Sequence, residues 1–88
     1  MDKDLFHKLM VEFAVTNNFE WSEENEDNFI WDGTDNYVAI WNDGDGTFSV
    51  ESFDYTKDFN DIEGAKEDVL MMIDVIREQE NKETANEN

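Results

Sequence analysis

The chain has no cysteine, a single histidine and, between Lys8 and Lys57, not one lysine or arginine. Without cysteine there is no disulfide framework, no thiolate nucleophile and no zinc-thiolate site, and the reducing cytoplasm is the expected compartment. His7, beside Lys3 and Lys8, has no companion with which to build a metal site or a catalytic triad. The base-free stretch, residues 9–56, holds 12 of the 24 acids and dominates a formal charge of −18 over 88 residues. Nucleic acid and anionic membranes are thereby excluded as direct partners, because both are bound through clustered Lys and Arg.

Other absences narrow the reading further. No stretch approaches the 18 apolar residues of a membrane span, and Met1-Asp2-Lys3-Asp4 lacks the basic flank and apolar run of a signal peptide. The chain is therefore expected to be soluble and unprocessed. There is no glycine-rich phosphate loop, no Gly-x-Ser-x-Gly and no Cys/His nucleophile pattern. Asn42-Asp43-Gly44-Asp45-Gly46 resembles a calcium loop but fails on register. With Gly46 at the sixth position, Trp41 would be the first ligand and Ser52 the last; with Gly44 there, Ala39 and Val50. Carboxylate pairs abound, and no motif singles out two of them. No catalytic, cofactor-binding or metal-ligating residue is expected, and the chain does not read as an enzyme.

What the chain has in quantity, besides acid, is aromatic residues: seven Phe, three Trp and two Tyr, enough apolar area for a core in a domain of this size. Leu5, Phe6, Leu9, Met10, Phe13 and Ala14 recur at helical spacing between Lys3 and Asn17, with Asp2 or Asp4 as cap. Phe19-Glu20-Trp21, Phe29-Ile30-Trp31, Ala39-Ile40-Trp41 and Phe48-Ser49-Val50 read as strands. The clusters 32–36 and 42–46 between them are hairpin turns. Trp21, Trp31 and Trp41 fall ten residues apart, the interval of a meander of even strands. Tyr37 to Trp41, apolar throughout, is the expected central strand. A second helix starts near Asp58, Asn60 or Asp61 and carries the stripe Ile62, Ala65, Val69, Met72, Ile73 and Ile76.

The expected fold class is α+β: an antiparallel meander of three or four strands flanked by an N-terminal and a C-terminal helix, with the helices on one side of the sheet. Residues 1–80 form the single domain. Residues 81–88, rich in Asn, Glu and Lys, are expected to be a disordered tail. A like-charged surface favours the monomer, which only an aromatic sheet face exposed opposite the helices would override.

A charged surface is most often merely solvated. Self-repulsion destabilises the compact state, however, and interspersed bases would relieve it, so 48 consecutive residues without one call for a further reason. Carboxylates on turns and on alternate strand positions can match the charge density of a nucleic acid, about one negative charge per 1.7 Å of duplex axis. The partner-binding residues expected on this reading are Glu20, Glu23, Glu24, Glu26, Asp27, Asp32, Asp35, Asp43 and Asp45, with Trp21 or Trp31 as apolar anchors unless they serve the core. In size, acidity and element order the chain resembles the small phage-encoded DNA mimics: anti-CRISPR inhibitors, anti-restriction proteins and uracil-DNA glycosylase inhibitors.

That resemblance involves no shared motif and carries no residue over. It implies an inhibitor that occupies the basic groove of a nucleic-acid-binding protein, such as a nuclease, glycosylase or polymerase-like enzyme, in the host cytoplasm. Two rivals share the charge: an immunity protein or antitoxin neutralising a basic nuclease toxin, and a non-inhibitory acidic regulator or scaffold.

Overall fold

The computed structural model describes residues 1–86 and shows the α+β architecture in the order helix, antiparallel sheet, helix. Helix α1 (Lys3–Thr16) starts where the Asp2 carboxylate accepts the Leu5 N–H at 3.1 Å. It stops at Asn17–Asn18. The Asn17 side-chain amide donates to the Phe13 carbonyl at 2.9 Å, and Asn18 turns the chain with a φ of 59°. Phe6, Met10, Phe13 and Ala14 form its buried stripe.

The sheet has five strands: β1 (Glu23–Glu24), β2 (Asn28–Asp32), β3 (Tyr37–Asn42), β4 (Phe48–Ser52) and β5 (Tyr55–Phe59). They lie side by side in chain order, all antiparallel, with β3 at the centre. Two details differ from the sequence reading. Phe19-Glu20-Trp21 is a connection and not a strand, because Phe19 and Trp21 fold back onto α1, where the Trp21 indole N–H donates to the Met10 carbonyl at 2.9 Å. The residues that do pair with β2 are the acids Glu23 and Glu24. The other difference is β5, which occupies residues expected to lead into the second helix.

Helix α2 (Ile62–Asn86) begins at Asp61, whose carbonyl accepts the Ala65 N–H at 3.2 Å. It continues past residue 80, into the segment expected to be disordered. Residues 81–86 are helical, whereas residues 87 and 88 of that expected tail lie outside the described residues. Lys, Glu and Ala are good helix formers, and extending an existing helix is far easier than nucleating one.

Register assigns the two faces of the sheet. Phe29 and Trp31 of β2, Val38 and Ile40 of β3, and Phe48 and Val50 of β4 point to one side and are buried in a single core. Phe6, Met10 and Phe13 of α1 and Ala65, Val69, Ile73 and Ile76 of α2 join that core, so both helices cover the same face. Each fully buried side chain of this kind contributes about 1.5–3 kcal/mol. The other face is left open.

Candidate interaction surface

The open face follows from strand alternation. It carries Glu23 of β1; Asn28, Ile30 and Asp32 of β2; Tyr37, Ala39 and Trp41 of β3; Ser49 and Glu51 of β4; and Thr56 and Asp58 of β5. Its centre is apolar. Ile30 and Glu51 stand directly across from Ala39, which is buried although no helix lies over it. Trp41 remains 41% exposed, unlike Trp31, which is 7% exposed in the core. The Tyr37 hydroxyl donates to Glu51 Oε2 at 2.7 Å, holding that carboxylate against the sheet and raising the tyrosine pKa, since ionisation would forfeit the bond.

Five of the six bases are on the helices and none is on the open face. Lys3 and Lys8 are on α1, Lys66, Arg77 and Lys82 on α2, and Lys57 sits on the helix-facing side of β5, opposite Val50. Three of them lie over aromatic rings: Lys57 over Phe59 at 5.2 Å, Lys66 over Phe13 at 5.5 Å and Arg77 over Trp31 at 5.6 Å. Among the described residues only Lys3 reaches an acid of the strand-joining turns, Glu26, at 3.5 Å, and so exposed a pair contributes little.

The nine acids nominated from sequence are all exposed, but they do not form one cluster. Glu24, Glu26 and Asp27 end or follow β1, and Asp43 and Asp45 follow β3, which places all five at one end of the sheet. Asn42 clasps the two turns together: its N–H donates to the Asp27 carbonyl at 2.8 Å and its side-chain amide to Asp27 Oδ1 at 3.2 Å. At the opposite end, Asp32 closes β2 on the open face and Asp35 lies in the β2–β3 turn. Glu23 is on the open face, and Glu20 is in the connection from α1 to β1.

Local hydrogen bonds fix these turns. In the β3–β4 turn, Gly44 and Gly46 adopt φ values of 84° and 91°, and Thr47 donates its N–H and its hydroxyl to Asp45 Oδ1 at 3.1 and 2.6 Å. The hydroxyl bond is the main reason the Asp45 carboxyl titrates below the ordinary range. The Ser49 hydroxyl lies 2.6 Å from Asp43 Oδ2 and 2.9 Å from Asp58 Oδ1, so it serves one carboxylate at a time. At the other end, the Thr34 N–H donates to Glu80 Oε1 of α2 at 2.6 Å. There Asn36 Oδ1 accepts from Tyr37 N–H at 2.8 Å and Phe53 N–H at 3.2 Å, joining two hairpins.

Sequence reasoning missed three members of this surface. Glu51 and Trp41 take their places from strand parity across β3 and β4, a signal present in the alternation of the strands. Asp58 depends on β5. The anchors named from sequence, Trp21 and Trp31, are instead core residues: Trp21 packs on Phe19 and Phe29 with centroids 4.9 and 5.5 Å apart, and Trp31 is buried. Comparison of the chain with protein-family models, curated proteins and solved structures returns no match.

Proposed function

We propose that this chain is a non-enzymatic, DNA-mimicking protein inhibitor that occupies the basic nucleic-acid groove of a host defence or DNA-processing enzyme, such as a CRISPR-Cas effector nuclease. The observation that carries the reading is the absence of any base from the open sheet face. No lysine or arginine projects from that face, whose charged residues are all acids, and at its ends only Lys3 and the N-terminal ammonium come near the acidic turns among the described residues. Neighbouring strands lie about 4.8 Å apart and alternate residues of a strand about 6.6–6.8 Å apart. Glu23, Asp32, Glu51 and Asp58 stand on this lattice with no base among them, and the acids of the hairpin ends add to the negative charge that a phosphate-binding groove attracts. The turns that carry most of these acids are braced by hydrogen bonds, so little ordering cost is left for binding.

The test is capture of partners from host lysate on immobilised protein at about 50 mM and about 300 mM salt. The expected result is one basic nucleic-acid enzyme, retained at low salt, released at high salt and displaced by duplex DNA. A partner that survives high salt and still binds DNA would overturn mimicry and favour an immunity-type contact away from the groove.

A further inference from the structure

The open sheet face is bordered by acids but centred on Ile30, Tyr37, Ala39 and Trp41, an apolar middle with a charged rim, which is the anatomy of a protein interface. We propose that this face is the principal docking surface and that its occupant is an arginine-presenting surface of another protein, with Trp41 as the anchor. The inference rests on the basic-partner reading above and assigns where, and to what chemistry, the contact is made.

Charge complementarity selects the occupant. Glu23, Asp32, Glu51 and Asp58 project from this face and no base does, so a second copy would oppose acids to acids. A basic protein remains, and between the two basic side chains arginine fits better. A guanidinium stacks flat on an indole while its fork pairs with carboxylates, whereas an ammonium is a compact, strongly hydrated point charge. Trp41 offers the indole, with Ser49 directly across on β4 and Glu51 two residues further along that strand. The Tyr37 hydroxyl holds Glu51 in place.

Size sets the extent of the contact. Five strands span about 19 Å and five residues of strand about 17 Å, a projected area of about 300 Å². A standard interface covers about 800 Å² per partner. The face therefore serves as the centre of a contact whose remainder is supplied by the acids at the two hairpin ends.

The experiment titrates the isotope-labelled full-length chain with a peptide of about nine arginines, and with a lysine peptide of equal length, following amide and indole NMR shifts. Shifts centred on Ile30, Ala39, Trp41, Ser49 and Glu51, with tighter binding of the arginine peptide, are expected. Trp41→Ser should weaken that binding about fivefold or more, the effect of losing one cation–π contact. Unchanged shifts at Phe6, Val38 and Val69 would show that the variant is folded. If Trp41→Ser disturbs them, the double variant Glu51→Lys/Asp58→Lys takes its place, with the same loss expected.

Shifts confined to the hairpin ends or the helices, equal affinity for the two peptides, or full affinity in the folded variants would overturn the proposal. The same variants applied to the captured enzyme separate it from mimicry. If they bind normally while the enzyme is still displaced by DNA, the face is wrong and mimicry stands. If the peptide maps to the face through Trp41 but DNA does not displace the enzyme, mimicry is wrong and the face stands.

Discussion

Tyr55 of β5 offers its hydroxyl to both carboxylate oxygens of Asp68 on α2, at 3.1 and 3.2 Å, and ties the outer strand to the helix beneath it. Asp68 is buried, so the phenol replaces water it has lost. Tyr55→Phe is expected to cost about 1–3 kcal/mol by leaving that carboxylate without its donor. Chemical denaturation measures it, and the double variant Tyr55→Phe/Asp68→Leu should recover part of the loss. A neutral Tyr55→Phe would mean the pair holds nothing together.

The two tyrosines also set an alkaline limit. Tyr37 is raised by its bond to Glu51, and Tyr55 by burial and then by Asp68, both above the ordinary value of 10.0. A folded-state pKa above the unfolded one gives stability that is complete below about pH 10 and is lost as pH rises through the folded values. Tyrosinate absorbance should therefore develop later than in the unfolded chain, and Tyr37→Phe should remove half of the signal.

Of the fold, the helices were legible because their apolar residues recur at three and four along α1 and α2, and the three inner strands because short aromatic and β-branched runs stand between clusters of Asp, Asn and Gly. The fifth strand was not. Tyr55, Lys57 and Phe59 alternate correctly, but a lysine on the inward side and Asp58 beside it make the segment read as a helix approach. Phe19 and Trp21 misled in the opposite sense, since aromatic content suggested a strand where the left-handed turn at Asn18 redirects both rings onto α1. Of the candidate site, the acids were legible and their grouping was not, because grouping depends on which turns share an end of the sheet.

Self-repulsion gives a prediction opposite to that for most small proteins. Raising salt from about 20 to about 500 mM screens the repulsion among acids. Only two ion pairs, Lys3–Glu26 and Lys66–Glu63, are formed among the described residues, so little attraction is screened with it. The melting temperature is expected to rise with sodium chloride. A fall would show that pairs not visible in this arrangement dominate.

Charge reversal should separate folding from binding. Glu24→Lys together with Asp35→Lys alters one exposed acid at each end of the sheet and touches no core residue. Thermal stability should hold or rise as repulsion eases, while affinity for the basic partner falls by at least about tenfold. Loss of stability in parallel with affinity would contradict the division of labour between the layers.

Two glycines should respond for different reasons. A methyl group on Gly33 would meet Glu80 Oε1 at 2.6 Å, Ile76 Cγ2 at 2.9 Å and the Asn36 carbonyl at 3.1 Å, so Gly33→Ala should cost about 1–3 kcal/mol through overpacking. Gly44 has open space around it but a φ of 84°, and Gly44→Ala should cost about 1–2 kcal/mol through backbone strain. Comparable denaturation midpoints for Gly33→Ala and the unmodified chain would show that α2 moves away from the turn at no cost.

The meander has a kinetic consequence. Each strand pairs only with its neighbour in the chain, and the turns that join them are short, so the sheet can zip together one hairpin at a time. A chain with a formal charge of −18 resists general collapse, because distant acids must be crowded together before any contact rewards it. Stepwise closure avoids that crowding: every step brings together only a few neighbouring charges and gains a strand of backbone hydrogen bonds at once. Strand order thus allows a polyanion to assemble quickly even in dilute buffer, where a sheet with crossovers of the same charge would wait for salt.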